Sequence, residues 1–93
     1  MTTIRIDWIH GRPHRGAEDD EARASEAAGA VLASAGVEPT DGEAEYNRQW
    51  AEYDDEAPMT GLARLWVEAR DAANRALTAP WHNPGGASCS IRA

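Results

Sequence analysis

Apolar residues recur at helical spacing most clearly in residues 60–79, TGLARLWVEARDAANRALTA. Leu62, Leu65, Trp66, Ala69, Ala73, Ala76 and Leu77 fall at steps that place them on one stripe of a helix. Arg64, Glu68, Asp71 and Arg75 lie off that stripe, and Asp71 with Arg75 is a favourable acid-then-base pair. Pro80 is expected to stop this helix, and Pro58 with Thr60 to mark its start. The rest of the chain is expected to organise around it.

The pattern changes period at the beginning of the chain. In residues 1–10, Ile4, Ile6 and Trp8 alternate with Arg5 and Asp7, as in a strand with one apolar face. Ile9 breaks the alternation, at a bulge or at the strand's end. A lone strand leaves its backbone groups unpaired. The only other stretch with strand character is 88–92, so the two are expected to pair as a ribbon. Addition of the strand to another molecule's sheet edge is the competing arrangement.

Residues 18–35 open with four acids and close at Gly36, which suits a helix dipole at one end and a left-handed cap at the other. Its buried face is expected to be Ala24, Ala27, Ala28, Val31, Leu32 and Ala35. Thr40-Asp-Gly-Glu43 has the form of a capping box, which predicts a helix over 41–56. Tyr46, Trp50 and Tyr53 form its aromatic stripe. Residues 80–93 are rich in Pro and Gly and read as a tail. The predicted fold is therefore α+β, a small and mostly helical single domain of order β-α-α-α-β. Trp8, Trp50 and Trp66 are expected to meet on the apolar side of the 60–79 helix.

Composition narrows this picture. Nineteen of the 93 residues are Ala, while Ile, Val and Leu together number eleven and Phe is absent. Eleven is about 12% of the chain, below the roughly 20% under which disorder becomes a competing expectation. Such a core is marginal alone, and completion on a partner or by self-association would reinforce it. All nine basic residues are Arg. With the Ala-richness this points to a GC-rich genome, such as an actinobacterium or one of its phages. A signal peptide and a membrane span are not evident, and one cysteine cannot form an internal disulfide, so a cytoplasmic location is expected.

The net charge of −7 is concentrated in residues 38–57, which carry eight acids against Arg48. A broad basic face for nucleic acid is therefore not expected. An acidic face meeting a basic protein surface is the natural alternative. The residues expected to carry that contact are Glu45, Trp50, Glu52, Tyr53, Asp54, Asp55 and Glu56, since Trp and Tyr are the commonest binding anchors. The acidic middle resembles, in type though not in motif, small phage-encoded inhibitors that mimic nucleic-acid charge. Core packing is the competing role for the aromatics, and a solvated face for the acids.

Two further chemistries have weaker sequence signals. His10 and His14 with His82 and Cys89 are weak candidates for a zinc site, because only the His-x3-His half has a ligand-like spacing. No metal or other cofactor is predicted. Gly85-Gly86 followed by a Ser/Cys segment resembles the junction between leader and core in precursors of ribosomally made, modified peptides. That resemblance implies modification of the C-terminal segment. No motif for catalysis or nucleotide binding is present: Ser88 and Ser90 lack a nucleophile-elbow context, and Cys89 lacks an oriented base. The expectation is a non-enzymatic, protein-binding accessory factor.

Overall fold

A computed structural model describes residues 3–12, 15–77 and 87–93. Strand β1 (Arg5–His10) is followed by helices α1 (Ala17–Ser34), α2 (Pro39–Tyr53) and α3 (Gly61–Leu77) and by strand β2 (Ser88–Arg92). The β-α-α-α-β order is the one the sequence predicts, and β1 and β2 pair antiparallel. Ile6 faces Ile91 and Trp8 faces Cys89, with the register slipping between Trp8 and His10. Ile9 is thus the extra residue of a bulge, and it stands 69% exposed.

Helix α3 is central, packing on α1, α2 and β2. Its buried surface is wider than the predicted stripe. Trp66, Ala69, Ala73 and Leu77 join Ala24, Ala28 and Leu32 of α1, Ile4 just before β1, and Cys89 and Ile91 of β2. Ala63 and Val67 form a second cluster with Met59, against which Tyr46 of α2 packs. Leu62, placed in the stripe by periodicity, is instead exposed. A helix flanked on both sides buries two stripes, and a single-face pattern identifies only one. Fully buried alanines at the α1–α3 contact let the backbones approach closely, which substitutes packing density for large side chains.

The ends of the helices follow from local chemistry. Gly36 adopts φ +69° after α1, its N–H donates to Ala33 and that of Val37 to Leu32, the paired bonds of a Schellman cap. The predicted capping box does not form. Helix α2 begins earlier, with Glu38 as its N-cap and Pro39 in its first turn, and no side chain caps it. Proline fixes the helical φ in advance, so the helix starts there. Glu43 turns to the ribbon, accepting a 3.0 Å bond from the Ala93 N–H.

Among the described residues, side chains of α3 and α2 stand against the free edge of β2. Asn74 of α3 accepts a 2.8 Å bond from the Cys89 N–H and donates a 3.1 Å bond to the Cys89 carbonyl. Its amide occupies the place of a third strand's peptide group. Gln49 does the same for the segment before α3, donating to the Thr60 carbonyl and accepting from the Thr60 N–H, each at 3.1 Å.

Candidate functional site

The expected meeting of three tryptophans does not occur. Trp66 is core and Trp8 lies at its margin, where its indole N–H donates to Glu21. Trp50 is 43% exposed. The reason is the rotation of α2: its buried positions are Gly42 and Gln49, with Tyr46 half-buried between them. Trp50 is one residue beyond Gln49 and so is turned about 100° away along the helix. It stacks on Tyr46 at a ring separation of 6.3 Å and an interplanar angle of 20°. Tyr53, one turn on, is 45% exposed. The end of α2 therefore presents two large aromatic rings to solvent.

The acids around those rings are of two kinds. Arg48 pairs with Glu45 and Glu52 along α2. Hydrogen bonds from Arg48 and then from Gln49 lower the Glu45 carboxyl to about pKa 2. Glu56 takes both amino groups of Arg70 in α3 and a 2.6 Å bond from the Tyr46 hydroxyl. Arg70 holds its carboxyl below the usual range, against the opposing pull of burial. The Tyr46 phenol is pushed up, first by burial and then by its bond to Glu56. Of the seven expected contact residues, Glu45, Glu52 and Glu56 are thus engaged internally. Nothing in the spacing of the sequence shows that Arg70 would reach back to Glu56.

Asp54 and Asp55 differ. Neither forms an ion pair among the described residues. Asp55 accepts a bond from the Ala57 N–H. Asp54 caps α2 in the left-handed region at φ 52°, its N–H donating to the Trp50 carbonyl at 2.8 Å. The site that remains is Trp50 and Tyr53 with these two carboxylates.

The Glu56–Arg70–Tyr46 cluster joins α2, α3 and the loop between them, which gives a pH signature. Glu56 binds protons more weakly folded than unfolded, so its contribution is complete above its ordinary carboxyl range, about pH 4.3. It is lost as pH falls through the lower folded value. Glu56→Gln is expected to flatten that part of the stability–pH curve, cost about 1–2 kcal/mol near neutrality and cost less in acid. Urea midpoints between pH 3 and 7 measure this; parallel curves for wild type and variant would contradict it.

Of the zinc and precursor candidates, only His10, Cys89 and the last residues of the chain, 87–93, lie among the described residues. His10 is exposed and Cys89 is 1% exposed inside the core, where burial raises its thiol pKa. His14, His82, Pro80 and the Gly85-Gly86 pair lie outside the described residues. Among the described residues no group of three or more His, Cys, Asp and Glu could hold a metal ion. No helix among them is long and apolar enough to cross a membrane. A groove of about 920 Å³ lies between α2, α3 and β2, and three of its polar lining groups serve the fold: Arg70 holds Glu56, Asn74 holds Cys89 and Glu43 holds Ala93. One buried carboxylate has no counterpart among the sequence candidates. Asp20 is 2% exposed, bonds Arg23 through one oxygen and, among the described residues, leaves the other without a partner. A run of four acids at a helix start carries no sign that one of them turns inward.

Comparison with protein-family models, curated proteins and solved structures finds no match to this chain.

Proposed function

We propose that the chain is a non-enzymatic protein-binding factor that docks the end of α2 on a basic surface of another protein. The observation that carries this is the exposure of Trp50 and Tyr53 beside Asp54 and Asp55, which no internal cation neutralises among the described residues. Aromatic faces attract guanidinium and ammonium groups, and a nearby carboxylate completes their recognition. The partner surface is therefore one that offers Arg or Lys, as nucleic-acid-handling enzymes do, with inhibition by charge mimicry the corresponding role. The all-Arg, Ala-rich composition supports a high-GC host and a phage or mobile-element source. The cytoplasm is the corresponding site of action.

The modified-precursor reading receives no such support, because Ser88–Arg92 is a paired strand and Cys89 is a core residue. A modifying enzyme would have to draw the segment out of the ribbon.

The test is capture from host lysate at low and high salt, with variants that spare the fold. Glu56 is left intact because Arg70 depends on it. Trp50→Ala is expected to abolish retention of a basic partner. Asp54→Gly separates binding from stability: glycine relieves the left-handed conformation, so stability is held or raised by up to about 1 kcal/mol. Retention should nevertheless fall with Asp54→Gly and Asp55→Asn combined. Retention of the same partner by all these variants, at every salt concentration, would overturn the docking surface.

A further inference from the structure

We infer, resting on that docking reading, that the partner presents arginine and not lysine, its guanidinium seated end-on against the last turn of α2. The last four carbonyls of a helix lack intrahelical partners and form the negative end of its dipole. Helix α1 satisfies its own. Ala35 and Val37 donate to Leu32, Gly36 donates to Ala33, and the Ser34 hydroxyl donates to Val31. Helix α3 carries Arg75 in its last turn. Helix α2 has neither device. Its Trp50 carbonyl is taken by the Asp54 N–H, but among the described residues the carbonyls of Ala51, Glu52 and Tyr53 accept nothing.

Charge makes this end more negative still. No basic residue stands in the last turn of α2, and the chain continues into Asp54 and Asp55, both exposed. Carboxylates there oppose the helix dipole, where a cation would be stabilised by it. The neighbouring cations are committed elsewhere: Arg48 is held by Glu45 and Glu52, and Arg70 by Glu56. Dipole, open carbonyls and carboxylates thus point to one complement, a cation from outside the chain.

The chemistry of the turn selects which cation. Its polar groups are nearly all acceptors, and the exposed rings of Trp50 and Tyr53 stand beside them. An ammonium is a compact, strongly hydrated charge with three donors. A guanidinium is planar, more weakly hydrated and has five donors. It can lie on an indole face while its in-plane N–H groups reach carbonyl and carboxylate oxygens together.

The experiment is an NMR titration of the full chain with two blocked peptides, one alternating serine with arginine and its twin alternating serine with lysine. The two have equal length and charge. The arginine peptide is expected to bind at least about fivefold more tightly than its twin. It should shift the Trp50 indole N–H and the amides of residues 51–55. Trp50→Ala should weaken it at least about tenfold, as should Asp54→Gly with Asp55→Asn, a pair that spares the fold. Equal affinities at this turn would overturn the choice of guanidinium and leave the docking reading standing. Arginine binding that shifts other residues, or that ignores both sets of variants, would overturn the seat. So would binding by neither peptide, and capture from lysate would then decide the docking reading on its own.

Discussion

Asn74→Ala is expected to destabilise the protein by about 2–4 kcal/mol and to free the C-terminal strand. The amide satisfies the N–H and the C=O of Cys89, a residue that is only 1% exposed. Removing it leaves two backbone groups at a partly buried edge without partners, at about 1–3 kcal/mol for each unsatisfied group. Domains of this size hold roughly 5 kcal/mol in all, so the loss is a large share. Urea unfolding gives the magnitude. Cys89 gives an independent reading: its thiol is shielded and its pKa is raised by burial, so it should react slowly with a thiol reagent in the wild type. The variant should react markedly faster under native conditions. Asn74→Asp keeps an acceptor for the Cys89 N–H but replaces the donor with a carboxylate oxygen that repels the Cys89 carbonyl, so its loss reports the donor together with that repulsion. An Asn74→Ala midpoint within error of wild type, with unchanged thiol reactivity, would show that the edge is satisfied by water instead.

The same residue marks the limit of what pattern reveals. The alternation Ile4, Ile6, Trp8 is enough to find β1, and the need of a strand for a partner is enough to find β2, because both follow from backbone hydrogen bonding. The central place of α3 is visible in its apolar density. What periodicity misses is polar side chains that stand in for backbone. Asn74 and Gln49 read as surface positions, yet each closes a main-chain pair, and Gln49 rather than Trp50 is the residue of α2 that turns inward. An aromatic stripe at helical spacing cannot reveal its own rotation. That depends on which neighbour lets the helices approach, and here the neighbour is Gly42.

For the candidate site, the sequence overcounts the free acids of the segment it points to. Glu45 and Glu52 answer to Arg48 at steps of three and four, a pairing that helix spacing alone would have suggested. Glu56 answers to Arg70, fourteen residues away, and only the packing of α2 on α3 creates that pair. The free charge at the tip of α2 is therefore Asp54 and Asp55. Its small size makes the exposed rings, rather than a broad acidic field, the main source of affinity in the proposed docking. Screening by salt should weaken capture, but Trp50→Ala should weaken it more.

Trp66 and Gly42 form the other large effect. Trp66 is 3% exposed at the junction of the three helices, and a Cβ built on Gly42 would come within 3.1 Å of its Cε3 atom. Trp66→Ala is expected to cost about 3–5 kcal/mol, enough to leave the domain largely unfolded at room temperature. Gly42→Leu is expected to cost about 1–3 kcal/mol, because the overpacking against Trp66 outweighs the roughly 1 kcal/mol that glycine forfeits within a helix. The two changes should not add. In the double variant the leucine introduced at position 42 enters the space the indole has left, so the combined loss is expected to fall short of the sum by at least about 1 kcal/mol. Where Trp66→Ala alone has no folded baseline, the cycle is run in an excluded osmolyte that favours burial. Additive losses would mean that α2 shifts bodily to accept a larger residue at position 42. The close approach at Gly42 would then not be what fixes the rotation of α2, and with it the outward turn of Trp50.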